Sequence, residues 1–255
     1  MPGATRGATA PRSAPIWSSC ARPRGCGTRP RCTSISARRT SSPDATRRRW
    51  RRSRSRSPDL RAELETIGRP LSDIRGVVLT HGDSDHIGFA EQLRREAGVP
   101  VHVHTADAHR VRTGEKPKTP MGPARPGPML GFLAYSLRKN GLRTRYVQEV
   151  VEVADGDVLD LPGNPRIIGL PGHSPGSVAV HVPAADAVFV GDALTTRHVL
   201  TGRTGPQPAP FTDEPEQALD SLDRLAGISA SWVLPGHGAP WRGTPADIAA
   251  AVRAA

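Results

Sequence analysis

Four side chains able to bind a metal ion fall within six consecutive residues. They are His81, Asp83, Asp85 and His86, and they lie in the segment 80–88. Two imidazoles and two carboxylates suit a borderline divalent metal such as zinc, iron or manganese. The alternative interpretation is a polar loop with a capping aspartate. If the loop held only a single His-x-Asp pair, that alternative would be favoured. Four ligands at this spacing favour a metal site instead.

Three more side chains of the same types occur farther along the chain. His173, Asp192 and His237 each follow a short apolar segment rich in β-branched residues, and each stands beside a glycine. One histidine beside glycine at a strand end would most often be structural. Three such strand ends, added to the first loop, predict seven ligands in one site. The adjacent glycines let the backbone pack close to a metal without a side-chain clash.

The segments between these residues predict the elements that position them. Residues 77–79 predict a buried strand and residues 87–97 a helix, so the first four ligands lie on a strand-to-helix loop. Other apolar patterns predict helices at 60–67, 214–225 and 244–254, and strands at 99–104, 147–153, 166–170, 177–182, 187–190 and 232–234. Alternating helices and short strands indicate a layered α/β fold.

Residues 113–128 predict a long loop because proline and glycine dominate them. The apolar stretch 129–137 after it predicts a short helix. A helix in this place is a candidate lid over a pocket, and packing in the core is an equally acceptable interpretation.

The order of these motifs resembles that of the metallo-β-lactamase superfamily. That family has a Thr-His-x-His-x-Asp-His loop followed by Gly-His, Gly-Asp and Pro-Gly-His, and the resemblance here covers residue 59 to the end. The resemblance implies an α/β (α+β) fold, a four-layer αββα sandwich with a two-metal site along one edge. One position departs from the pattern, since Asp83 stands where the family has its second histidine. The two alternatives are that Asp83 binds a metal and that it only contacts a ligand, which would leave one metal bound well and the other loosely.

The resemblance also implies a set of ligands for two divalent metal ions. The ligands would be His81, Asp83 and His173 for the first ion, Asp85, His86 and His237 for the second, and Asp192 as a bridge. Zinc is the expected metal, with iron or manganese as alternatives because Asp83 is a harder ligand than histidine. Asp85 is the predicted catalytic residue, which would orient a metal-bridged hydroxide and carry a proton to the leaving group.

Other polar residues near the motifs receive weaker assignments. Thr80 and Ser174 are expected to contact the ligands, and His198 is expected at the surface or within reach of a substrate. Four more histidines are expected to be structural or exposed: His102, His104, His109 and His181.

The first 58 residues differ from the rest in composition. They hold fifteen arginines and one acidic residue, Asp44, so their net charge is +14. Since the net charge of the whole chain is +11, residues 59–255 have a net charge of 11 − 14 = −3. This Arg/Ser/Pro-rich segment is too poor in apolar residues to fold, so we predict that it is disordered and that the hydrolase domain spans 59–255. Its three cysteines, Cys20, Cys26 and Cys32, do not complete a zinc site.

Three interpretations of residues 1–58 compete: a basic nucleic-acid-binding tail, an organellar transit peptide, and a frameshift artefact or misplaced start in a GC-rich gene. We favour the last. Proteins of the family begin with several strands ahead of the first helix, and residues 1–58 contain no sequence suited to them. The N-terminal strands are therefore expected to be missing or out of frame, which would leave the strand 77–79 at an unprotected edge or with an uncovered face.

The expected function is a metal-dependent hydrolase of a small-molecule ester, thioester, lactone or β-lactam. The alternatives are a nuclease or phosphodiesterase of the same fold, a basic-tailed binding protein, and an inactive truncated family member. The net charge of −3 on residues 59–255 disfavours nucleic acid as a partner. No apolar run is long enough to span a membrane and no signal peptide is visible, so a cytoplasmic location is expected.

Overall fold

The computed structural model describes residues 57–115, 122–138 and 144–255, so the predictions for residues 1–56 lie outside it. Two β-sheets form the centre of this part of the chain. The first sheet has three parallel strands in the order β1 (Val77–Val78), β2 (Val101–His104) and β3 (Val151–Val153). The second has five strands in the order β10 (Trp241–Arg242), β9 (Trp232–Pro235), β6 (Ala187–Gly191), β5 (Val178–Val182) and β4 (Arg166–Gly169). A hairpin of β7 (Thr195–Arg197) and β8 (Thr204–Gln207) is separate from both.

The helices connect and cover the two sheets. In chain order they are α1 (Ser57–Thr66), α2 (Ser84–Ile87), α3 (Ala90–Ala97), α4 (Ala108–Thr113), α5 (Pro126–Arg138), α6 (Pro215–Ser221) and α7 (Pro245–Arg253). Short 3-10 turns occur at Leu71–Asp73, Thr105–Asp107, Pro183–Ala185 and Leu222–Leu225. In the described ranges, no helix combines the length and apolar character that crossing a membrane requires.

Three apolar clusters show how the layers stack. On the outer face of the first sheet, Val101 and Val103 of β2 pack with Ile87 and Val111 from the helices. These valines are two residues apart, as expected for one face of a strand. Helices therefore cover one side of the first sheet.

The central cluster lies between the sheets. Val153 of β3 packs there with Ile167, Val178 and Val180 of the second sheet. Between the last two, Ala179 points the opposite way and joins the third cluster, which the second sheet forms with the helical segments near the C-terminus. The resulting order of helix, sheet, sheet and helix confirms the predicted α/β sandwich.

Several predicted elements are wrong in extent. The predicted helix 87–97 is two helices, because Gly88 has φ 40° and ψ −109° and ends α2. Of the predicted strand 147–153, only the last three residues form a strand, which is β3 (Val151–Val153). Sequence patterns missed β7 and β8, since Thr-Thr-Arg and Thr-Gly-Pro-Gln lack apolar alternation and β8 contains Gly and Pro, which are depleted in strands.

Strand β1 lies at one end of its sheet. It pairs with β2 only, and no other strand within the described residues pairs with its second edge. Because residues 1–56 lie outside the described part of the chain, the unprotected edge stays a prediction. Thr80, two residues after β1, accepts a 2.8 Å hydrogen bond from the Val178 amide, which ties the first ligand loop to the second sheet.

Candidate metal centre

All seven predicted ligands meet where strand ends of the two sheets come together. Three groups of three side chains form there, each with ligand atoms within 4.8 Å of one another, and one of them, His81, His86 and Asp192, overlaps the other two. The first group is His81, Asp83 and His173, and the second group is Asp85, His86 and His237. These are the two sets that the resemblance implied. That they bind metal stays a prediction.

Asp83 places one carboxylate oxygen inside the first group. Its Oδ2 lies 3.3 Å from Nε2 of His173 and 3.9 Å from Nε2 of His81. Asp83 stands at the N-cap position of α2, but its side chain makes no capping hydrogen bond there. The alternative interpretation of a capping aspartate is therefore wrong, and the carboxylate is available to the first group.

The second group is more open to solvent. Oδ2 of Asp85 lies 3.3 Å from Nε2 of His237 and 3.6 Å from Nε2 of His86. The Asp85 side chain is 47% exposed, whereas His81 and His173 are buried. The second group therefore faces the side from which a substrate would arrive.

Asp192 lies between the two groups, as a bridging ligand would. Its Oδ2 is 3.3 Å from Nε2 of His237 and 3.9 Å from Nε2 of His173, and its Oδ1 is 3.5 Å from Nε2 of His86. Glycine makes room for this carboxylate, since a Cβ at Gly236 would lie 2.2 Å from its Oδ1.

The residues fit a bound cation because buried polar atoms converge here without partners. Within the described residues, Nε2 of His81, Nε2 of His173 and Oδ1 of Asp192 are buried and make no hydrogen bond. An unpaired buried polar atom costs about 1–3 kcal/mol, so three of them at one point need an explanation. Coordination of metal ions would satisfy all three at once.

The charges of the site are strongly coupled. Burial and the neighbouring imidazoles of His86 and His173 hold the pKa of His81 well below its usual value, so His81 is neutral and able to ligate. Burial alone would raise the pKa of Asp192, but His86 and His237 outweigh it and hold that pKa well below its usual range.

His237 shows the opposite effect. Burial lowers its pKa, but Asp192 and Asp85 outweigh burial and raise the pKa to about 10. For Asp85, burial raises the pKa, and the hydrogen bond from His237 together with His86 brings it down to about 2. Without metal, the two carboxylates and His237 are therefore held together as ion pairs.

Hydrogen bonds outside the two groups orient the imidazoles. Nδ1 of His81 lies 3.1 Å from Oγ1 of Thr80, as predicted, and Nδ1 of His173 lies 3.2 Å from Oγ1 of Thr212. Sequence patterns did not single out Thr212. Such contacts orient the imidazole and set its tautomer, which makes the other ring nitrogen available to a metal.

Ser174 does not contact a ligand side chain as expected. Its hydroxyl donates to Oδ2 of Asp107 at 2.6 Å. The same carboxylate accepts hydrogen bonds of 2.7 Å from the amides of Gly82 and Gly176. Asp107 is fully buried, and it joins the loop of His81 to the loop of His173. Nothing in the local sequence Thr-Ala-Asp revealed this role, because its partners are 25 to 69 residues away.

The remaining histidines lie outside the two groups. His198 accepts a hydrogen bond from the Thr201 amide in the turn between β7 and β8. His102 lies 3.2 Å from the carbonyl of Val77, and Nδ1 of His104 accepts from the Ala106 amide. His109 and His181 are at or near the surface. The structural assignment of these residues agrees with the contacts.

A cleft of about 1450 Å³ opens above the second group. Helix α5 forms one wall, to which Phe132 and Tyr135 contribute, and no residue of this helix is buried. The core-packing interpretation of the helix is therefore wrong. Leu60, Phe89 and Phe211 add further apolar surface to the cleft.

The chain matches known proteins over most of its length. A family model described as the metallo-beta-lactamase superfamily matches residues 41–237, starting ahead of the predicted domain boundary at 59. A probable metallo-hydrolase of Bacillus subtilis is 31% identical over 180 residues, which cover 67% of this chain and 66% of that protein. A hydroxyacylglutathione hydrolase of Cereibacter sphaeroides is 32% identical over 138 residues, 54% of this chain and 39% of that protein.

Solved structures show the same fold. A metallo-beta-lactamase family protein from Thermus thermophilus aligns with a TM-score of 0.53 and 22% identity, over 75% of this chain and 63% of that one. The chain thus spans about two thirds of the length of the Bacillus and Thermus proteins, and a smaller part of the glutathione hydrolase.

Proposed function

Since the chain belongs to the metallo-beta-lactamase superfamily, we propose that it is a metal-dependent hydrolase of a small ester, thioester or lactone. The observation that carries this proposal is the convergence of three unpaired buried atoms, on His81, His173 and Asp192, beside an open cleft. Bound divalent ions would polarise a carbonyl and lower the pKa of a water molecule.

Two ions are proposed, one for each group of ligands, with Asp192 shared between them. Histidine nitrogens with carboxylate oxygens suit zinc, and the carboxylate of Asp83 makes iron or manganese acceptable in the first group. The number and identity of the ions are part of the proposal.

Asp85 is the proposed catalytic residue. Its carboxylate is half exposed, it faces the cleft, and His237 together with His86 keeps it ionised at neutral pH. An ionised carboxylate in this place can accept a hydrogen bond from the attacking water and orient it. The same group can then carry the proton to the leaving group.

The lining of the cleft favours a substrate with an apolar group. Aromatic residues Phe89, Phe132, Tyr135 and Phe211 would contact an acyl or ring substituent next to the scissile bond. Of the relatives, the Cereibacter protein is named for hydrolysis of a thioester, hydroxyacylglutathione, which supports a thioester as the first substrate to test. A β-lactam is the other candidate from the superfamily.

A nuclease or phosphodiesterase fits the cleft less well. Among the described lining residues other than the proposed ligands, Arg197 is the single arginine or lysine, while Glu63 and Glu115 carry carboxylates. A nucleic acid is bound by several cationic side chains along its phosphates, and the described lining supplies one.

The proposal is tested by metal analysis and a substrate panel on the full chain. Thioesters, aryl esters, lactones, β-lactams and a phosphodiester would be assayed with zinc, iron or manganese. We expect hydrolysis of one of the carboxylic substrates, loss of it in His86→Ala, and its retention in His181→Ala, which changes a histidine outside the cluster. Protein that folds and binds no metal, or hydrolyses only the phosphodiester, would contradict the proposal.

A further inference from the structure

Asp83 is the one ligand at which this chain departs from the family pattern. A histidine offers a metal one neutral nitrogen, whereas a carboxylate offers two oxygens and a negative charge. In this structure the two oxygens have different surroundings. Oδ2 faces the first group, 3.3 Å from Nε2 of His173, and Oδ1 lies on the far side, 3.2 Å from a guanidinium nitrogen of Arg110.

Arg110 comes from α4 and is 4% exposed. Its guanidinium lies between two carboxylates. One terminal nitrogen contacts Oδ1 of Asp83 at 3.2 Å, and the other contacts Oδ2 of Asp213 at 2.5 Å. The planar guanidinium can make two such contacts in fixed directions, which a lysine ammonium cannot. No pattern in the sequence had marked Arg110 or Asp213.

We propose that Arg110 is a positioning residue that makes Asp83 act as a one-oxygen ligand. By binding Oδ1, Arg110 leaves Oδ2 as the one oxygen available to the first metal ion. Arg110, which also contacts Asp213, offsets part of the negative charge that Asp83 adds where the family has a neutral histidine. This inference rests on the proposed metal site.

The surrounding packing supports the pairing. A Cβ at Gly82 would lie 3.0–3.1 Å from the side-chain carbons of Arg110, so a glycine beside the first ligand lets the arginine pass at this distance. Arg110 is also connected to His173, the third ligand of the first group. It contacts the carboxylate of Asp213, and the Asp213 amide donates a 3.1 Å hydrogen bond to the carbonyl of His173. One guanidinium therefore links the loop of Asp83 to the segment that holds His173.

The test is a double-mutant cycle of Arg110→Lys and Asp83→His. Lysine keeps the positive charge, so its effect reports the lost geometry rather than a change in electrostatics. With competition against a chelator, we expect Arg110→Lys to weaken the more sensitive metal site by about 10–100-fold, the range for residues that orient a ligand. In the Asp83→His background, Arg110→Lys should lower the metal affinity by less than about threefold, because the carboxylate that Arg110 positions is absent.

The visible absorption spectrum of bound cobalt(II) distinguishes a positioning role of Arg110 from a merely structural one, because only the former predicts a change in the spectrum. Freed from Arg110, the Asp83 carboxylate can bind through both oxygens, so the visible absorption of cobalt should weaken in Arg110→Lys as the coordination number rises. The spectrum should not change on this substitution in the Asp83→His background. Arg112→Lys, on the same helix but paired with exposed Glu152, is the matched control and should leave metal affinity and spectrum unchanged.

Thermal unfolding of each metal-free variant checks that it is folded. Equal losses of affinity in both backgrounds, or an unchanged cobalt spectrum, would overturn the positioning role. An Asp83→His protein that binds no metal would contradict the assignment of position 83 as a metal ligand. If the native chain itself binds no metal, the proposed function fails and this inference fails with it, whereas tight binding by both native protein and Arg110→Lys refutes only the inference.

Discussion

Substituting Asp107 by asparagine should destabilise the fold and weaken the first metal group together. The buried carboxylate accepts three hydrogen bonds of 2.6–2.7 Å, from the amides of Gly82 and Gly176 and from the hydroxyl of Ser174. Asparagine has the same shape but a single acceptor oxygen. Whichever way the amide turns, its NH₂ group must face at least one N–H or O–H donor.

The cost follows from the number and kind of these bonds. Turned with its oxygen toward Gly82 and Ser174, the amide loses one bond to a charged acceptor, worth about 1.5–3 kcal/mol. The two that remain become bonds to a neutral acceptor and weaken by about 1 kcal/mol each. The sum is about 3.5–5 kcal/mol, which for a domain of this size lowers the Tm by roughly 7–20 °C.

Calorimetry of the metal-free protein measures this cost, and chelator competition measures the effect on metal. Asp157→Asn is the matched control, because that exposed carboxylate accepts one backbone bond, at 2.8 Å from Ala154, which an amide oxygen can keep. We expect that control to stay within about 0.5 kcal/mol of the native protein. A melting temperature for Asp107→Asn equal to that of the control would refute the reasoning.

Three further predictions follow from burial, packing and charge. Gly236→Ala should reduce metal affinity at least about tenfold, because its Cβ would overlap Oδ1 of Asp192. The metal content of the dialysed protein measures this, and full occupancy of the metal site in the variant would contradict it. Leu222→Ala should cost about 2–5 kcal/mol in urea unfolding, since Leu222 is fully buried in the third apolar cluster, whereas Leu130→Ala on the exposed face of α5 should cost less than about 0.5 kcal/mol. Because its pKa is raised to about 10, His237 is protonated in the metal-free protein at neutral pH and must lose that proton to ligate. Metal affinity should therefore rise with pH, and binding at neutral pH should release protons to an indicator dye; an affinity constant across neutral pH would refute this. In the metal-free protein, the stability that protonated His237 contributes is fully present below its unfolded pKa and is lost as the pH rises through about 10.

The sequence by itself determined the elements and the ligand types. The alternation Val-His-Val at 101–103 and the continuous apolar run at 178–180 are enough to define strands, because both patterns are local properties of the chain. The glycine-flanked histidines and aspartates could likewise be found one by one. Their order along the chain then led to the α/β sandwich and to the seven residues that the structure brings together at one place.

Only the tertiary structure decided what surrounds those residues. Arg110, Asp107 and Thr212 reach the ligand loops across 25 to 69 residues of sequence, and a single arginine, aspartate or threonine carries no local signal of such a contact. The same reason explains β7 and β8, which form because neighbouring segments pair with them rather than through the strand propensity of their own residues. Whether the carboxylate of Asp83 caps a helix or faces a metal is also a question of orientation. Sequence leaves both open, and the contact of one oxygen with Arg110 and of the other with His173 settles the direction of the side chain.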